Sequence, residues 1–397
     1  MFKQPDFLCL WWVGFTSFLI RWLEILVFGI VAYQQTGSAF WVAMMTMLRL
    51  LPMALFGATF GAIAERLPRH RVLLLVIFAS LVTAVVMTLI SAYGQLEVWH
   101  LAVAAFINGT AWATDNSVRR AIIGEVAGQA QMGRAMSIEV GTSNATRLIG
   151  PGVGGVLLAT GGITGVLLLT SVLYTLALLS ILWVFGTGPR AQAASASHGS
   201  LFSSLAEGIA VLRNEPRLTG AMWVTVVFNI FGWPVLSMIP VIGTDELGLT
   251  PQGVGFLAST DGLGAFIGAL VIARLSQAGR YGRIYLIGIT MFLAALPVFS
   301  LAPGPELAAV ALFFAGIGQA GFSVMQATIT FVVSPEGRRS QAMGLMTMCI
   351  GVGPIGFLLL GALAEQFGAP LTAVLMSVTG LLTLAVTWRW WRLTWKT

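Results

Sequence analysis

The sequence predicts an all-α membrane protein: twelve transmembrane helices in two six-helix bundles, with both termini in the cytoplasm. Three observations carry this. Of 397 residues, 57% are apolar and 9% charged, against roughly 25% charged in an ordinary soluble domain. The apolar residues gather into twelve runs, each of the length of about 20 residues that spans a bilayer. The basic residues outside those runs fall in alternate connections, the asymmetry that orients membrane helices with their positive loops inside.

The runs lie near 7–33, 40–64, 71–92, 98–119, 135–159, 162–185, 217–240, 252–275, 283–302, 306–333, 341–363 and 370–390. The opening Met1-Phe-Lys-Gln-Pro-Asp6 lacks a signal-peptide n-region and cleavage site, so the first run is expected to remain as a helix. Runs 2 and 3 are joined through Arg66, Arg69 and Arg71, and runs 4 and 5 through Arg119, Arg120 and Arg134. The middle connection carries Arg190, Arg213 and Arg217. Arg274, Arg280 and Arg283 follow, then Arg338 and Arg339, then Arg389, Arg392 and Lys396. With Lys3, every basic residue falls on one side except Arg21, Arg49 and Arg147, which lie inside runs. The opposite loops hold Glu97, Asp245, Glu246, Glu306 and Glu365, and no Lys or Arg.

Gly186 to Ser200 is a small-residue linker. Leu201 to Arg213 reads as an amphipathic surface helix that stops before Pro216. The expected organisation is a first bundle over 1–185, a cytoplasmic linker over 186–216 and a second bundle over 217–397. An internal repeat supports the halves. Gly57, Ala58, Gly61 and Ala62 recur as Gly264, Ala265, Gly268 and Ala269, and Phe106 and Gly109 recur as Phe313 and Gly316, all at one offset. Gly150-Pro151 is echoed by Gly353-Pro354, displaced by about a helical turn.

Several function classes are disfavoured. The net charge of +6 is explained by loop topology, so no nucleic-acid partner is expected. Cys9 and Cys349 sit in separate helices, and His70, His100 and His198 are scattered, so neither a disulfide nor a metal site is expected. The chain has no P-loop and no nucleophile elbow, and neither enzyme activity nor a cofactor is anticipated.

Ionisable groups within membrane helices cost about 2.5–3.5 kcal/mol each on insertion scales and mark functional candidates. Here they are Arg21 and Glu24, Arg49, Asp115, Glu139 and Arg147, and Asp261. Arg21 and Glu24, three apart, share a helix face and are expected to pair. Arg21, Glu24, Arg49 and Arg147 fall near mid-bilayer and predict a positive cavity. Glu24, whose protonation would free Arg21 to bind an anion, and Asp261, with no charged neighbour in its helix, are the two candidate proton carriers. Trp22, Asn108, Trp112, Asn144, Asn229, Trp233 and Gln319 are candidate cavity liners, with Asn144 and Asn229 preferred over the Trp residues. Asp115, Arg119 and Glu139 sit near cytoplasmic helix ends and suggest a gate. Gly150, Pro151, Gly154 and Gly155 strip the second half of helix 5, so that a neighbour, helix 8, can approach its backbone.

Gly61-Ala-Ile-Ala-Glu-Arg-Leu-Pro-Arg-His-Arg71 resembles the loop 2–3 signature of the major facilitator superfamily, with Glu65 in place of the usual aspartate. The resemblance implies that Glu65, Arg66, Arg69 and Arg71 act as a cytoplasmic latch. Tyr33-Gln-Gln-Thr-Gly-Ser-Ala39, Glu207 to Pro216, and Asn144-Ala-Thr-Arg-Leu-Ile-Gly-Pro-Gly-Val-Gly-Gly155 are similar to the enterobactin-exporter and macrolide-efflux-like branch. Ile20-Arg21 departs from the Gly-Asp pair usual there. The resemblance implies a secondary transporter that works by alternating access. Its expected activity is proton-coupled export of an amphipathic, siderophore- or drug-like molecule, by a monomer in a bacterial inner membrane. A lipid or lysolipid transporter, an importer of an organic anion, and a receptor or scaffold are the alternatives.

Overall fold

The computed structural model describes residues 4–66, 68–185, 215–277, 279–335 and 338–397, and the long elements it contains are all helices. Helix α1, Pro5–Thr36, opens with Pro5 in its first turn, where a missing N–H is no loss. It ends on Gly37 at φ 64°, whose N–H bonds the Tyr33 carbonyl, an ending that glycine makes without a Cβ clash. Then come α2, Ala39–Arg66, with Pro52 inside it, and α3, Arg69–Ala92.

Val98 to Phe185 stays helical except at Gly128 (φ 66°) and Gly162 (φ 62°). Both glycines are reversal points. Arg119 and Glu139, on either side of Gly128, are in contact, whereas twenty residues of straight helix would hold them about 30 Å apart. Asn108 lies level with Glu24, and Arg119 with Gly14, so 98–127 (α4) runs antiparallel to α1. Gly150 packs on Leu19 and Leu23, and Gly154 on Leu23 and Val27, so 129–161 (α5) runs parallel to it. Beyond Gly162, Thr164 and Ser171 bond Ser91 and Thr88, and 163–185 (α6) runs antiparallel to α3.

The sequence predicts an unbroken helix near 217–240. The structure instead has α7, Pro216–Val227, continued through a π turn at Phe228–Gly232, 3₁₀ turns at Trp233–Met238, an α turn at Ile239–Val241 and a second π turn at Ile242–Glu246. Pro234 and Pro240 remove two N–H donors from this stretch, so a regular ladder cannot run through it. Next come α8, Pro251–Leu275, capped by Thr250 Oγ1 accepting from the Gly253 N–H at 3.3 Å, then α9, Tyr281–Ser300, and α10, Pro305–Val333. The expected run 341–363 is divided at Gly351 and Val352, just before Pro354, into α11, Arg339–Ile350, and α12, Gly353–Phe367. Helix α13, Ala369–Val386, completes the long elements.

Among the described residues nine stretches are long and apolar enough to cross a membrane, fewer than the twelve runs read from sequence. Gln131–Val184, one of the nine, contains the reversal at Gly162, and Ala39–Leu55 is a shorter apolar helix. The linker 186–200, the amphipathic segment 201–213, and the side chains of Gly57, Gly61, Glu65 and Arg66 lie outside the described residues.

Leu75, Phe78, Leu89, Leu179, Ile287 and Leu382 are exposed. Apolar surface of that extent has no place in water and fits a lipid-facing exterior. Between α5 of the first half and α8 of the second, the contact is made by the smallest side chains. A methyl group on Gly155 of α5 would lie 2.6 Å from the Pro251 carbonyl and 2.9 Å from Gly255 Cα of α8, so the two backbones touch directly. Inside each half the repeat has a structural counterpart. The space a Cβ would need at Gly109 is filled by the Arg49 carbonyl, and at Gly316 by the Asp261 carbonyl.

Candidate functional site

A cavity opens between the halves, lined by Arg21, Trp22, Arg49, Trp112 and Arg147 from the first and by Trp233, Ser237, Pro240, Asp261 and Phe357 from the second. Its remaining wall is mainly aliphatic, including Ile25, Leu26, Val42 and Leu236. Of the residues expected to form a substrate or proton pathway, Arg21, Arg49, Arg147, Asp261 and Trp233 line this cavity, and Glu24 meets it through Arg49. Asn144 and Asn229 are not among the lining residues. The Asn229 amide donates back to the Thr225 carbonyl at 2.9 Å, satisfying a backbone acceptor next to the π turn.

The expected Arg21–Glu24 pair does not form. Glu24 Oε2 accepts from Arg49 at 2.6 Å and from the Asn108 amide at 2.9 Å, and both Glu24 and Arg49 are buried. The reason is topological. Residues 24 and 49 stand almost equally far from the turn at Gly37, so they lie level on adjacent antiparallel helices. Their side chains meet head-on, whereas an i,i+3 pair must bend along one helix. That equal spacing is a signal the sequence contained.

Asp261 is not a lone carboxylate either. Its Oδ2 accepts from Arg147 Nε at 3.1 Å and Nη2 at 2.5 Å, and Arg147 also donates to Gln319 Oε1. This ion pair joins α5 of the first half to α8 of the second. The Arg147–Asp261 separation in the chain, across the linker, leaves no spacing rule that would find it. Asp261 Oδ1 makes no hydrogen bond.

Arg21 has a different environment. Its guanidinium lies 3.8 Å from the Trp112 ring centroid and 5.1 Å from that of Trp22, and Arg147 approaches Trp22 at 5.1 Å as well. Among the described residues no carboxylate pairs with Arg21.

A second cluster lies toward the basic-loop end. Arg119, fully buried, is held by Asp115 through contacts of 3.0–3.2 Å and by Glu139. The Phe18 ring sits 4.8 Å from its guanidinium, and Gly14 leaves room for it against α1. Asp115, Arg119 and Glu139, expected in a gate, are thus one triad. Arg69 is apart from it and pairs with Glu125, a partner that sequence reading did not identify. Arg71 is exposed.

The small-residue surface of α5 serves two neighbours rather than α8 alone. Gly155 and Gly152 face α8, and the Pro151 carbonyl meets Gly255 there, whereas Gly150 and Gly154 face Leu19, Trp22, Leu23 and Val27 of α1. Helical periodicity explains the division, because residues 150 and 154 share a face that 152 and 155 do not. At the acidic-loop end the Tyr33 hydroxyl donates to Asp245, Ser38 Oγ donates to Glu365 at 2.8 Å, and the Phe40 N–H reaches the same carboxylate at 3.4 Å. These contacts tie the halves together on that side.

The transmembrane secretion effector family matches residues 1–395. The multidrug efflux pump Tap of Mycolicibacterium fortuitum is 26% identical over 96% of this chain and 94% of its own length. Macrolide efflux protein A of Streptococcus pyogenes is 24% identical over 90% and 89%. The enterobactin exporter EntS of Escherichia coli O139:H28 is 30% identical over 65% of this chain and 61% of its own. Among solved structures, a POT family transporter in complex with 5-aminolevulinic acid superposes with a TM-score of 0.81 at 11% identity, over 98% of this chain and 96% of that one. The nucleoside transporter NupG superposes with a TM-score of 0.74 at 13% identity, over 98% and 99%. The chain therefore belongs to the transmembrane secretion effector family within the major facilitator superfamily, and is a membrane transporter rather than an enzyme.

Proposed function

We propose that this chain is a secondary exporter of amphipathic small molecules, driven by protons and working by alternating access in a bacterial inner membrane. In this reading twelve spans form two bundles, 1–185 and 217–397, joined by a cytoplasmic linker, with both termini in the cytoplasm. The observation that carries it is the Arg147–Asp261 pair. It is buried in a cavity that both halves line and it bridges them.

Such a pair can couple chemistry to motion. Protonating Asp261 removes its charge and releases Arg147, which loosens one half from the other beside the substrate. Glu24 is the less suited of the two carboxylates, because its Arg49 and Asn108 partners belong to its own half. The acidic-loop end, outside by the distribution of Arg and Lys, is latched by Tyr33–Asp245 and Ser38–Glu365. The gate residues Glu65, Arg66, Arg69, Arg71, Asp115, Arg119 and Glu139 then belong to the opposite, cytoplasmic closure.

The test is transport in proteoliposomes of purified protein under an imposed pH gradient, with a panel of efflux substrates and a pH dye. Substrate movement accompanied by counter-movement of protons is expected. Asp261→Asn is expected to abolish that coupling and Glu24→Gln to weaken transport while leaving the coupling in place. Movement indifferent to the gradient, and unaltered in both variants, contradicts proton-driven export.

A further inference from the structure

Of the three guanidiniums on the cavity wall, two are neutralised: Arg49 by Glu24 and Arg147 by Asp261. The cavity is left with one positive charge in excess, and Arg21 carries it. An uncompensated cation inside a membrane protein is held at a high free energy unless something compensates it. Here the compensation is aromatic, with Trp112 and Trp22 against the guanidinium.

This kind of support has a chemical consequence. A carboxylate partner engages the edge of a guanidinium and consumes its N–H donors, whereas an aromatic ring lies against its face. The rings hold Arg21 in place, and among the described residues its fork of donors has no hydrogen-bond partner, a fork that matches a carboxylate two bonds at a time. Two further donors on the same wall are unused: the indole N–H groups of Trp22 and Trp112 are both buried and make no hydrogen bond. The neighbouring surface is aromatic and aliphatic, with Trp233 and Phe357 on the far side.

We propose that Arg21, Trp22 and Trp112 form an anion-binding subsite that receives the carboxylate of a monoanionic aromatic substrate, whose ring packs on the tryptophans. The proposal deepens the export reading and rests on this cavity being the transport site. It assigns Arg21 a specificity role, since a cationic substrate would meet the excess positive charge.

The test is calorimetric titration of the full-length protein in nanodiscs with three probes of one shape: 2-naphthoate, 2-naphthamide and 2-naphthylmethylammonium. The wild type is expected to bind naphthoate at least tenfold more tightly than the other two. Arg21→Gln is expected to lower naphthoate affinity by about tenfold or more and to leave naphthamide within about twofold, the control for an intact cavity. Trp112→Phe keeps a ring face but loses the N–H, and an intermediate loss is expected. Naphthoate affinity unmoved by Arg21→Gln, a preference for the ammonium, or no naphthoate binding at all overturns the subsite. Vesicles that export the ammonium and ignore naphthoate overturn the subsite while export stands. Naphthoate held through Arg21 but moved by no gradient leaves the subsite standing and overturns export.

Discussion

A guanidinium among apolar side chains needs a counter-charge, an aromatic face or a ligand, and each buried arginine here has one of these. Arg119 is the most enclosed, with Asp115 and Glu139 against it and no exposure. Removing one member of a buried ion pair strands the others, typically at a cost of about 3–5 kcal/mol. Arg119→Ala should therefore lower the thermal unfolding midpoint sharply, because it leaves two carboxylates buried together. Arg71→Ala, at an exposed position, should change stability by less than about 0.5 kcal/mol. Equal effects of the two would contradict the burial and pairing described. At this scale the charged positions were legible in the sequence, because each is costly in a membrane. Their partners were less so. Helical spacing favoured Arg21–Glu24, but the level of Glu24 and Arg49 about the Gly37 turn decided the pairing, and Asp261 found its arginine across the linker.

At the scale of elements, α5 and α8 approach until backbone meets backbone. A carbonyl and a Cα cannot give way as a flexible side chain can, so even one methyl group at Gly155 must part the helices. Gly155→Ala is expected to slow transport or lower stability, whereas Gly161→Ala, where a Cβ meets nothing within 4 Å, should leave both unaltered. A thermal-shift and transport comparison of the two variants checks this. At the same, acidic-loop end of the helices, Tyr33→Phe removes the hydroxyl that bonds Asp245. It should raise the labelling rate of a cysteine placed at Ser237, on the cavity wall, by an impermeant thiol reagent added from the acidic-loop side. An unchanged rate would show that this contact does not hold that end closed. The long apolar runs of α1, α3, α8, α9, α10 and α13 were read close to where they lie, since length and hydropathy are local properties. The irregular path after Val227 and the break before Pro354 were not. Proline signals a break in a helix, but whether the chain bends, tightens or loosens there depends on what packs around it.

In the molecule as a whole, two halves share a cavity and are bridged in it by the Arg147–Asp261 ion pair. Exchanging a monoanion outward for a proton inward moves two charges in the same electrical sense. A potential of about 100 mV, negative inside, then contributes roughly 4.6 kcal/mol per cycle, at about 2.3 kcal/mol for each charge. A potassium diffusion potential alone should therefore drive naphthoate export from vesicles, and electroneutral export would rule out this stoichiometry. The central claim, that protonating Asp261 lets the halves part at the acidic-loop end, is tested most directly by measuring the separation there. Spin labels at Gln34→Cys and Gln366→Cys, both exposed at that end, can be placed in a protein with Cys9 and Cys349 replaced. One short separation is expected at neutral pH and a second, longer one on acidification, with Asp261→Asn populating the longer one without acid. A single distribution, unmoved by pH and by Asp261→Asn, would contradict it.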